Sequence, residues 1–246
     1  MTDRPLDDGE APAGMQDASR DEGRQYALPL VIRVERAAPP ARTDALEGAA
    51  QAVLRFLADP RVTEPDGEWA AAARAWEDAR IRKVVRRARG AAWERACALP
   101  GITVGRRSAE VRVFPPVPVD DWPADLAKLQ VSGTDLTDPV PPAAPAPGVP
   151  VLWLNPELPM TAGKAMAQAG HGAQLVWWKL EPTTRSDWVE ADFDLAVRLA
   201  GKKQWAELLG SGLPIVTDGG FTEVAPGSAT VAGDHAALRA VLGSAR

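Results

Sequence analysis

Cysteine is almost absent from this sequence, because Cys97 is the only one among 246 residues. A single thiol excludes a disulfide within the chain and a zinc site built from cysteines, and it indicates a reducing compartment such as the cytoplasm. Cys97 lies in an apolar helical pattern with Trp93 and Leu99. We therefore expect it to be buried rather than to act as a nucleophile.

Long apolar runs are also lacking. The chain has no run of about eighteen or more apolar residues, which predicts that no segment spans a membrane. Residues 1–25 are acidic and polar and lack the apolar core of a signal peptide, so we expect a disordered tail. The overall composition, with 46% hydrophobic and 25% charged residues, is typical of a soluble globular protein.

Positive charge is not in excess, since the formal net charge is -5. This balance argues against a protein whose whole surface is basic for nucleic acid, but it allows a local basic patch. One segment is rich in cations: Arg80, Arg82, Lys83, Arg86, Arg87 and Arg89. The cluster could hold nucleic-acid phosphates, or it could be a solvated face of the protein, and the sequence leaves both interpretations open.

The chain divides at a proline-rich segment. Residues 133–149 carry prolines at a density that blocks helices and sheet ladders, which predicts an extended, semi-rigid linker. The linker separates a first half, residues 26–132, from a second half, residues 150–246. Each half is near the lower end of domain size.

The two halves resemble each other in their order of elements. Residues 28–34 and 151–154 are β-rich, and each run precedes a helical pattern. Residues 81–87 have helical apolar spacing, but the repeat pairs them with a strand-like segment at 193–198, so we interpret them as a strand. From Ile102 to Leu129 the first half aligns with the second without a gap. The order predicts an α/β fold with a mixed sheet of about four strands flanked by helices, duplicated within the chain.

The first motif that carries chemistry is a helix that Thr161 can cap. Lys164, Gln168 and His171 follow at helical spacing and share one face. A lysine near a helix N-terminus opposes the helix dipole, which favours a role with an anion, although an ordinary exposed lysine would give the same pattern. His171 by itself is equally consistent with a hydrogen-bonded core histidine.

The second motif begins at Asp218, directly after an apolar run at residues 213–217 that is typical of a buried strand. Asp218 therefore lies at the carboxyl end of a strand, where α/β sheets place ligands. Gly219 and Gly220 permit unusual backbone conformations or the close approach of a substrate. A turn in which Asp218 bonds its own loop explains the same residues.

Together these motifs resemble those of the type-2 peptidyl-tRNA hydrolases, the archaeal and eukaryotic type. The family's helix motif is close to Gly-Lys-x-Ala-Ala-Gln-x-x-His-Ala, and residues 163–172 read Gly-Lys-Ala-Met-Ala-Gln-Ala-Gly-His-Gly. Its later motif is close to Asp-Ala-Gly-x-Thr-x-x-Ala-Pro-Gly-Ser-x-Thr-Val, and residues 218–231 read Asp-Gly-Gly-Phe-Thr-Glu-Val-Ala-Pro-Gly-Ser-Ala-Thr-Val. The resemblance covers residues 150–233.

The resemblance implies hydrolysis of the ester bond of peptidyl-tRNA without a cofactor or a metal. It implies catalytic roles for Lys164, Asp218, Thr222 and Thr230. It also implies substrate contacts from Gln168, His171, Gly219, Gly220 and Ser228. The family's fold is a mixed four-stranded sheet flanked by helices, usually paired as a homodimer. The chain departs from the pattern at Phe221, where many members carry a basic residue, and after Thr230, where the usual Gly-Pro ending is absent.

The first half lacks the chemical groups of the second. The repeat alignment places Glu47 opposite Lys164, and opposite His171, Asp218, Thr222 and Thr230 it places Leu54, Gly105, Ala109 and Val117. We therefore expect an inactive copy and a monomeric chain that forms a pseudo-dimer within itself. Two other functions remain open: a non-catalytic protein that binds the acceptor end of tRNA, and a hydrolase of another acyl ester such as D-aminoacyl-tRNA.

Overall fold

A computed structural model describes residues 23–220 and 223–244 of the chain. It is an α/β structure with two mixed sheets flanked by helices, as the sequence predicts. Most of the expected N-terminal tail, residues 1–22, lies outside the described residues. Phe221 and the predicted site residue Thr222 lie outside them as well.

The first half forms a five-stranded sheet with helices on its faces. In chain order, its elements are β1 (Tyr26–Arg33), α1 (Arg42–Leu57), α2 (Pro60–Thr63), α3 (Ala70–Asp78), β2 (Arg82–Ala88), α4 (Gly90–Cys97), β3 (Ile102–Arg106), β4 (Ala109–Val113), β5 (Val117–Pro118) and α5 (Ala124–Ala127). The segment around Lys83 is a strand, which confirms the interpretation that the repeat favoured over the helical spacing. Burial in β2 alternates through Lys83 and Val85.

The second half forms a four-stranded sheet. Its elements are β6 (Val151–Leu154), α6 (Ala162–Lys179), α7 (Pro182–Glu190), β7 (Ala196–Leu199), α8 (Lys202–Leu209), β8 (Ile215–Thr217), β9 (Ala229–Asp234) and α9 (Ala236–Ser244). The predicted strands at residues 151–154 and 213–217 are confirmed as β6 and β8. Small residues let α6 approach its sheet closely: a Cβ at Gly172 would lie 2.8 Å from Val231 Cγ1 in β9.

The two sheets have the same strand order and the same strand directions. The first runs β2-β1-β4-β3, with β5 also paired to β1, and the second runs β7-β6-β9-β8. In each sheet the first two strands are parallel and the other neighbouring pairs are antiparallel. The helix that follows the first strand, α1 or α6, leads to the parallel edge strand in both halves.

The gapless alignment from Ile102 to Leu129 is not the alignment of the strands. Residues 107 and 108 alone separate β3 from β4, whereas residues 218–228 separate β8 from β9. Val117, which the alignment placed opposite Thr230, lies in β5 and pairs with Ala27. Thr230 lies in β9, whose place in its sheet corresponds to that of β4. A long loop thus carries the Asp218 motif in the second half only.

A single hydrophobic core runs through both halves. Helices α1 and α6 pack against each other, and fully buried residues of both helices, such as Val53 and Met166, belong to one cluster with Leu30 and Val231 from the two sheets. Burying one such side chain stabilises a fold by about 1.5–3 kcal/mol. The interface between the halves is therefore built like a protein interior, and α6 is held from both sides.

The proline-rich linker contains no helix or strand in residues 133–149. It is also docked on both halves. The Thr134 hydroxyl accepts a hydrogen bond from Gly163 N at the start of α6, at 3.0 Å. Asp138 accepts hydrogen bonds of 2.8 Å from the backbone N and the hydroxyl of Thr43 in α1. The segment therefore helps to fix the starts of the two central helices.

Candidate active site

Thr161 caps helix α6 and sets the direction of its first turn. The Thr161 hydroxyl accepts a hydrogen bond from Lys164 N at 3.3 Å, as the sequence predicts. It also donates to Glu223 Oε1 at 2.7 Å, while Thr161 N donates to Glu223 Oε2 at 2.9 Å. The cap is thus tied to the loop that follows β8, which brings the two sequence motifs together.

A hydrogen-bonded chain links four of the predicted site residues. Lys164 Nζ donates to Asp218 Oδ2, and Gln168 Nε2 donates to the same oxygen at 2.7 Å. The Thr230 hydroxyl donates to Gln168 Oε1 at 2.6 Å. Three elements therefore meet at one carboxylate: α6 supplies Lys164 and Gln168, β9 supplies Thr230, and the end of β8 supplies Asp218.

The Lys164–Asp218 ion pair is nearly buried. The Lys164 side chain is 10% exposed and that of Asp218 is 7% exposed. Removing two charges from water is costly unless further hydrogen bonds satisfy them. Asp218 has those bonds, because Gly220 N donates to its second oxygen, Oδ1, at 2.8 Å in addition to the two donors on Oδ2. The carboxylate is therefore held in one orientation.

The loop after β8 is shaped by backbone contacts and one glycine. Asp218 N donates to Ser228 O at 2.9 Å, and Gly227 N donates to Asp218 O at 2.8 Å. Gly220 has a φ of +78°, and a Cβ there would lie 2.3 Å from Pro226 Cγ. Only glycine fits at Gly220, which confirms the prediction for that residue. Ser228 thus supports the loop with its carbonyl oxygen, and Gly219 is exposed.

Lys83, which the sequence places only in the cation-rich segment and not at the site, also reaches this face of α6. Lys83, on β2 of the first half, is only 7% exposed. Its Nζ lies 3.2 Å from His171 Nδ1 and donates to Gln174 Oε1 and, at 3.4 Å, to Ile81 O. The lysine stands on the inward face of an alternating strand, next to the buried position of Val85. A charged residue at such a position is the signal that would have found it.

Burial sets the protonation of the Lys83 and His171 pair. It lowers the pKa of the Lys83 ammonium well below its usual range, although the Glu77 carboxylate opposes the shift. Burial also lowers the pKa of His171 well below its usual value, and positive charge on Lys83 or Lys164 lowers it further. His171 is therefore neutral at neutral pH.

These residues line a cleft of about 790 Å³ between the two halves. The first half contributes β2 and the turn before it, including Arg80, Arg82 and Lys83, and the second half contributes α6 and the loop after β8. Trp178 stands in the cleft wall with 40% of its surface exposed. Burial raises the pKa of Glu77, another wall residue, while its hydrogen bond to Trp178 opposes the shift.

The arginine cluster has two parts with different roles. Arg86 donates to Leu129 O at 2.5 Å and stacks on Trp122, with its Cζ 4.5 Å from the ring centre. Arg87 donates to Ser132 O at 2.8 Å. These two arginines hold the segment that leads into the linker, whereas Arg80 and Arg82 line the cleft.

Three tryptophans of the second half, Trp153, Trp177 and Trp178, lie in different environments. Trp177 is buried, where it meets Trp188 and Phe193. Trp153 is partly buried, and its Nε1 donates to Asp234 Oδ2 at 3.2 Å. Trp178 is the one of the three that lies in the cleft. Cys97 is half-buried and packs against a small satellite cluster of the first half.

The described residues offer neither a cluster of metal ligands nor a helix that could span a membrane. No group of three or more His, Cys, Asp or Glu side chains in residues 23–220 and 223–244 is placed to hold a metal ion. No helix in the same part of the chain is long and apolar enough to cross a bilayer.

The resemblance to the type-2 peptidyl-tRNA hydrolases rests on two motifs that the fold places side by side. The helix motif forms the first turns of α6, and the aspartate of the second motif touches its lysine. Comparison with known proteins adds no relative: no protein-family model matches the chain, and neither a curated protein nor a solved structure shows detectable similarity to it.

Proposed function

We propose that this chain hydrolyses the ester bond between the peptide and the terminal ribose of peptidyl-tRNA, and that it does so in the cytoplasm. One observation carries the proposal: Lys164, Asp218, Gln168 and Thr230, distant in sequence, form one hydrogen-bonded chain at the wall of a cleft. A polar chain of this kind, nearly closed off from water, is costly to maintain without a function.

Ester hydrolysis needs a donor for the oxyanion. The oxygen of a water molecule attacks the ester carbonyl carbon, and the carbonyl oxygen gains negative charge in the tetrahedral intermediate. The bond to the ribose oxygen then breaks, and that oxygen leaves with a proton. Lys164 supplies the charge that stabilises the oxyanion, because its ammonium lies in the cleft wall with little exposure to bulk water.

Asp218 positions Lys164 for this role. Its carboxylate accepts from Lys164, Gln168 and Gly220, so most of its hydrogen-bonding capacity is committed to the chain itself. The remaining lone pairs can orient the attacking water. Thr230 is completely buried and reaches Asp218 only through Gln168, so we assign it a positioning role. Thr222, in the undescribed part of the loop, stays a predicted hydrogen-bond donor of the site.

The cleft suits the acceptor end of a tRNA. Its volume of about 790 Å³ is in the range of pockets that take small organic groups, such as a nucleoside with an attached aminoacyl group. Arg80 and Arg82 place positive charge along one wall, where phosphates would bind. Trp178 offers a partly exposed ring on which a terminal base can stack.

We also propose that the two halves are copies of one unit that pair as a pseudo-dimer. Their identical strand order and the packing of α1 against α6 support this interpretation. Glu47, which aligns with Lys164, is part of an ion-pair cluster instead of an open site. It accepts from Arg198 Nη1 at 2.6 Å and from Arg106 Nε at 3.1 Å. The first half has thus exchanged a chemical group for contacts that join the halves.

The test is the release of a labelled N-acetyl-aminoacyl group from tRNA. Wild type should release it, and Lys164→Ala should lower the rate by about 10²–10³-fold, the usual effect of removing one oxyanion donor. Lys203→Ala, which removes a 93% exposed lysine, is the matched control and should retain the wild-type rate. No release by wild type while tRNA still binds would replace the hydrolase with a tRNA-binding protein. Full turnover by Asp218→Asn would remove Asp218 from the mechanism.

A further inference from the structure

The side chain of Lys83 crosses from the first half into the active-site helix of the second. Its aliphatic part passes Gly170 of α6, where a Cβ would lie 3.2 Å from Lys83 Cδ. Its Nζ lies 4.8 Å from the centre of the Trp76 ring and is within hydrogen-bonding distance of the His171 and Gln174 side chains. A glycine at the crossing point and an aromatic ring beside the amine place the nitrogen with little freedom.

The hydrogen-bond partners of an uncharged Lys83 amine indicate which nitrogen of His171 carries the proton. Two of the groups around Lys83 Nζ, Gln174 Oε1 and Ile81 O, are oxygen acceptors. A neutral amine has two N–H groups, which these oxygens use, and one lone pair. In that state the lone pair faces His171 Nδ1 at 3.2 Å, which assigns the proton of this hydrogen bond to Nδ1, whereas a charged ammonium would donate to Nδ1 instead.

With the proton on Nδ1, the other nitrogen of the His171 imidazole, Nε2, is unprotonated. Among the described residues, the contact with Lys83 is the only hydrogen bond of the His171 side chain. His171 lines the cleft on the same face of α6 as Lys164 and Gln168. Nε2 is therefore the nitrogen left for a water molecule in the cleft. Asp218 already accepts hydrogen bonds from three donors of the chain, Lys164, Gln168 and Gly220.

We propose that Lys83, supplied by the first half, is a positioning residue that holds His171 with Nε2 facing the cleft as the proton acceptor for the attacking water. This role assumes that the reaction is the proposed ester hydrolysis. It also means that the first half, which lacks the catalytic residues itself, contributes a residue to the site. The water gives its proton to Nε2 as its oxygen bonds to the ester carbon, and the imidazolium returns that proton to the departing ribose oxygen.

The charged groups around the pair come from three elements and one loop. Lys164 lies on α6, Glu77 on α3 and Asp218 after β8, while Lys83 itself lies on β2. Burial lowers the pKa of Lys83 and so favours its uncharged amine, whose lone pair can accept from Nδ1. The neutral pair thus sits beside the Lys164–Asp218 ion pair, so the site combines a proton acceptor with an oxyanion donor on a single helix face.

Nitrogen NMR of labelled histidine tests the positioning without any substrate. The chain has only two histidines, and His235→Gln identifies the signal of His171. Wild type should show the tautomer with the proton on Nδ1, and Lys83→Met should shift His171 toward the tautomer with the proton on Nε2, which free imidazole favours. A wild-type signal with the proton on Nε2 would overturn the proposal, whether or not the protein hydrolyses tRNA esters.

Kinetics then connect the tautomer to the reaction. Lys83→Met should lower kcat by about 10²-fold or more, since general-base catalysis contributes about that much, with KM nearly unchanged. The double variant Lys83→Met, His171→Gln should be no slower than His171→Gln alone, because Lys83 acts through His171. Additive losses would contradict the positioning role. Absence of hydrolysis by wild type, with the Nδ1–H tautomer observed, would refute the reaction and leave the placement of His171 standing.

Discussion

The hydroxyl of Thr230 donates to Gln168 Oε1 at 2.6 Å, and this contact decides which way the Gln168 amide faces. With Oε1 held by Thr230, Nε2 points to Asp218 at 2.7 Å. Thr230→Val keeps the approximate shape of the side chain and removes the donor. We expect a loss of about 1–3 kcal/mol in the free energy of unfolding, because a buried acceptor is left unsatisfied. Urea denaturation measures that loss.

The same substitution should also reduce hydrolysis by about tenfold, equivalent to about 1.4 kcal/mol of lost transition-state stabilisation, since Asp218 loses an oriented donor. Thr230→Ser retains the hydroxyl and is the matched control for both measurements. If Thr230→Val loses stability but keeps its full turnover, the residue supports the fold and has no part in the site.

Local patterns in the sequence predict the part of the site that depends on helical spacing and on the ends of strands. The cap at Thr161, the shared face of Lys164, Gln168 and His171, and Asp218 at the end of a strand follow from helical spacing and strand ends. These features depend on contacts within a few residues along the chain. The structure therefore agrees with them closely.

The rest depends on contacts between distant segments, which spacing does not encode. Lys83 reaches His171 across 88 positions of sequence, and its strand was ambiguous because Ile81, Val84 and Val85 are spaced like a helix face. The alignment of the repeats also does not follow the strands after β3, because the loop of residues 218–228 has no counterpart of similar length between β3 and β4. A loop insertion leaves the periodicity of the neighbouring strands unchanged, so the apolar pattern of the sequence does not indicate where the loop lies.

The ion-pair cluster at Glu47 should stabilise the interface between the two halves. The Glu47 side chain is 1% exposed, and its partners Arg106 and Arg198 are 19% and 11% exposed. Glu47→Gln would leave the Arg198 guanidinium without its counter-charge and Arg106 with Asp194 as its remaining carboxylate partner. We expect a loss of about 3–5 kcal/mol in the free energy of unfolding, measured by urea denaturation.

Glu207→Gln is the control for that loss, because Glu207 pairs with Lys203 at the surface, with the two side chains 67% and 93% exposed. Exposed pairs of this kind contribute at most about 1 kcal/mol. Equal effects of the two substitutions would show that the Glu47 cluster contributes no more than a surface pair does.

The proposed pseudo-dimer predicts a monomeric chain. Helices α1 and α6, which hold equivalent places in the two halves, are already buried against each other within one chain. We therefore expect sedimentation velocity at micromolar concentration to give one species with the mass of a single chain, 26.1 kDa. A tight dimer of full chains in that experiment would remove the reason for treating the internal packing as a substitute for subunit pairing.

The buried Lys83 should make stability depend on pH in a way that a single substitution abolishes. Burial lowers the pKa of Lys83 in the folded state, so between the folded and unfolded pKa values the unfolded chain binds a proton that the folded chain does not. The free energy of unfolding therefore rises with pH across that interval, by up to about 1.4 kcal/mol per pH unit for one proton. Lys83→Met removes the proton from both states and should flatten the slope in the pH range below the usual lysine pKa. Lys203→Met, at an exposed position, should keep the wild-type slope.

An unchanged slope in Lys83→Met would mean that the folded protein carries a charged Lys83, and His171 Nδ1 would then have to be the acceptor in their hydrogen bond.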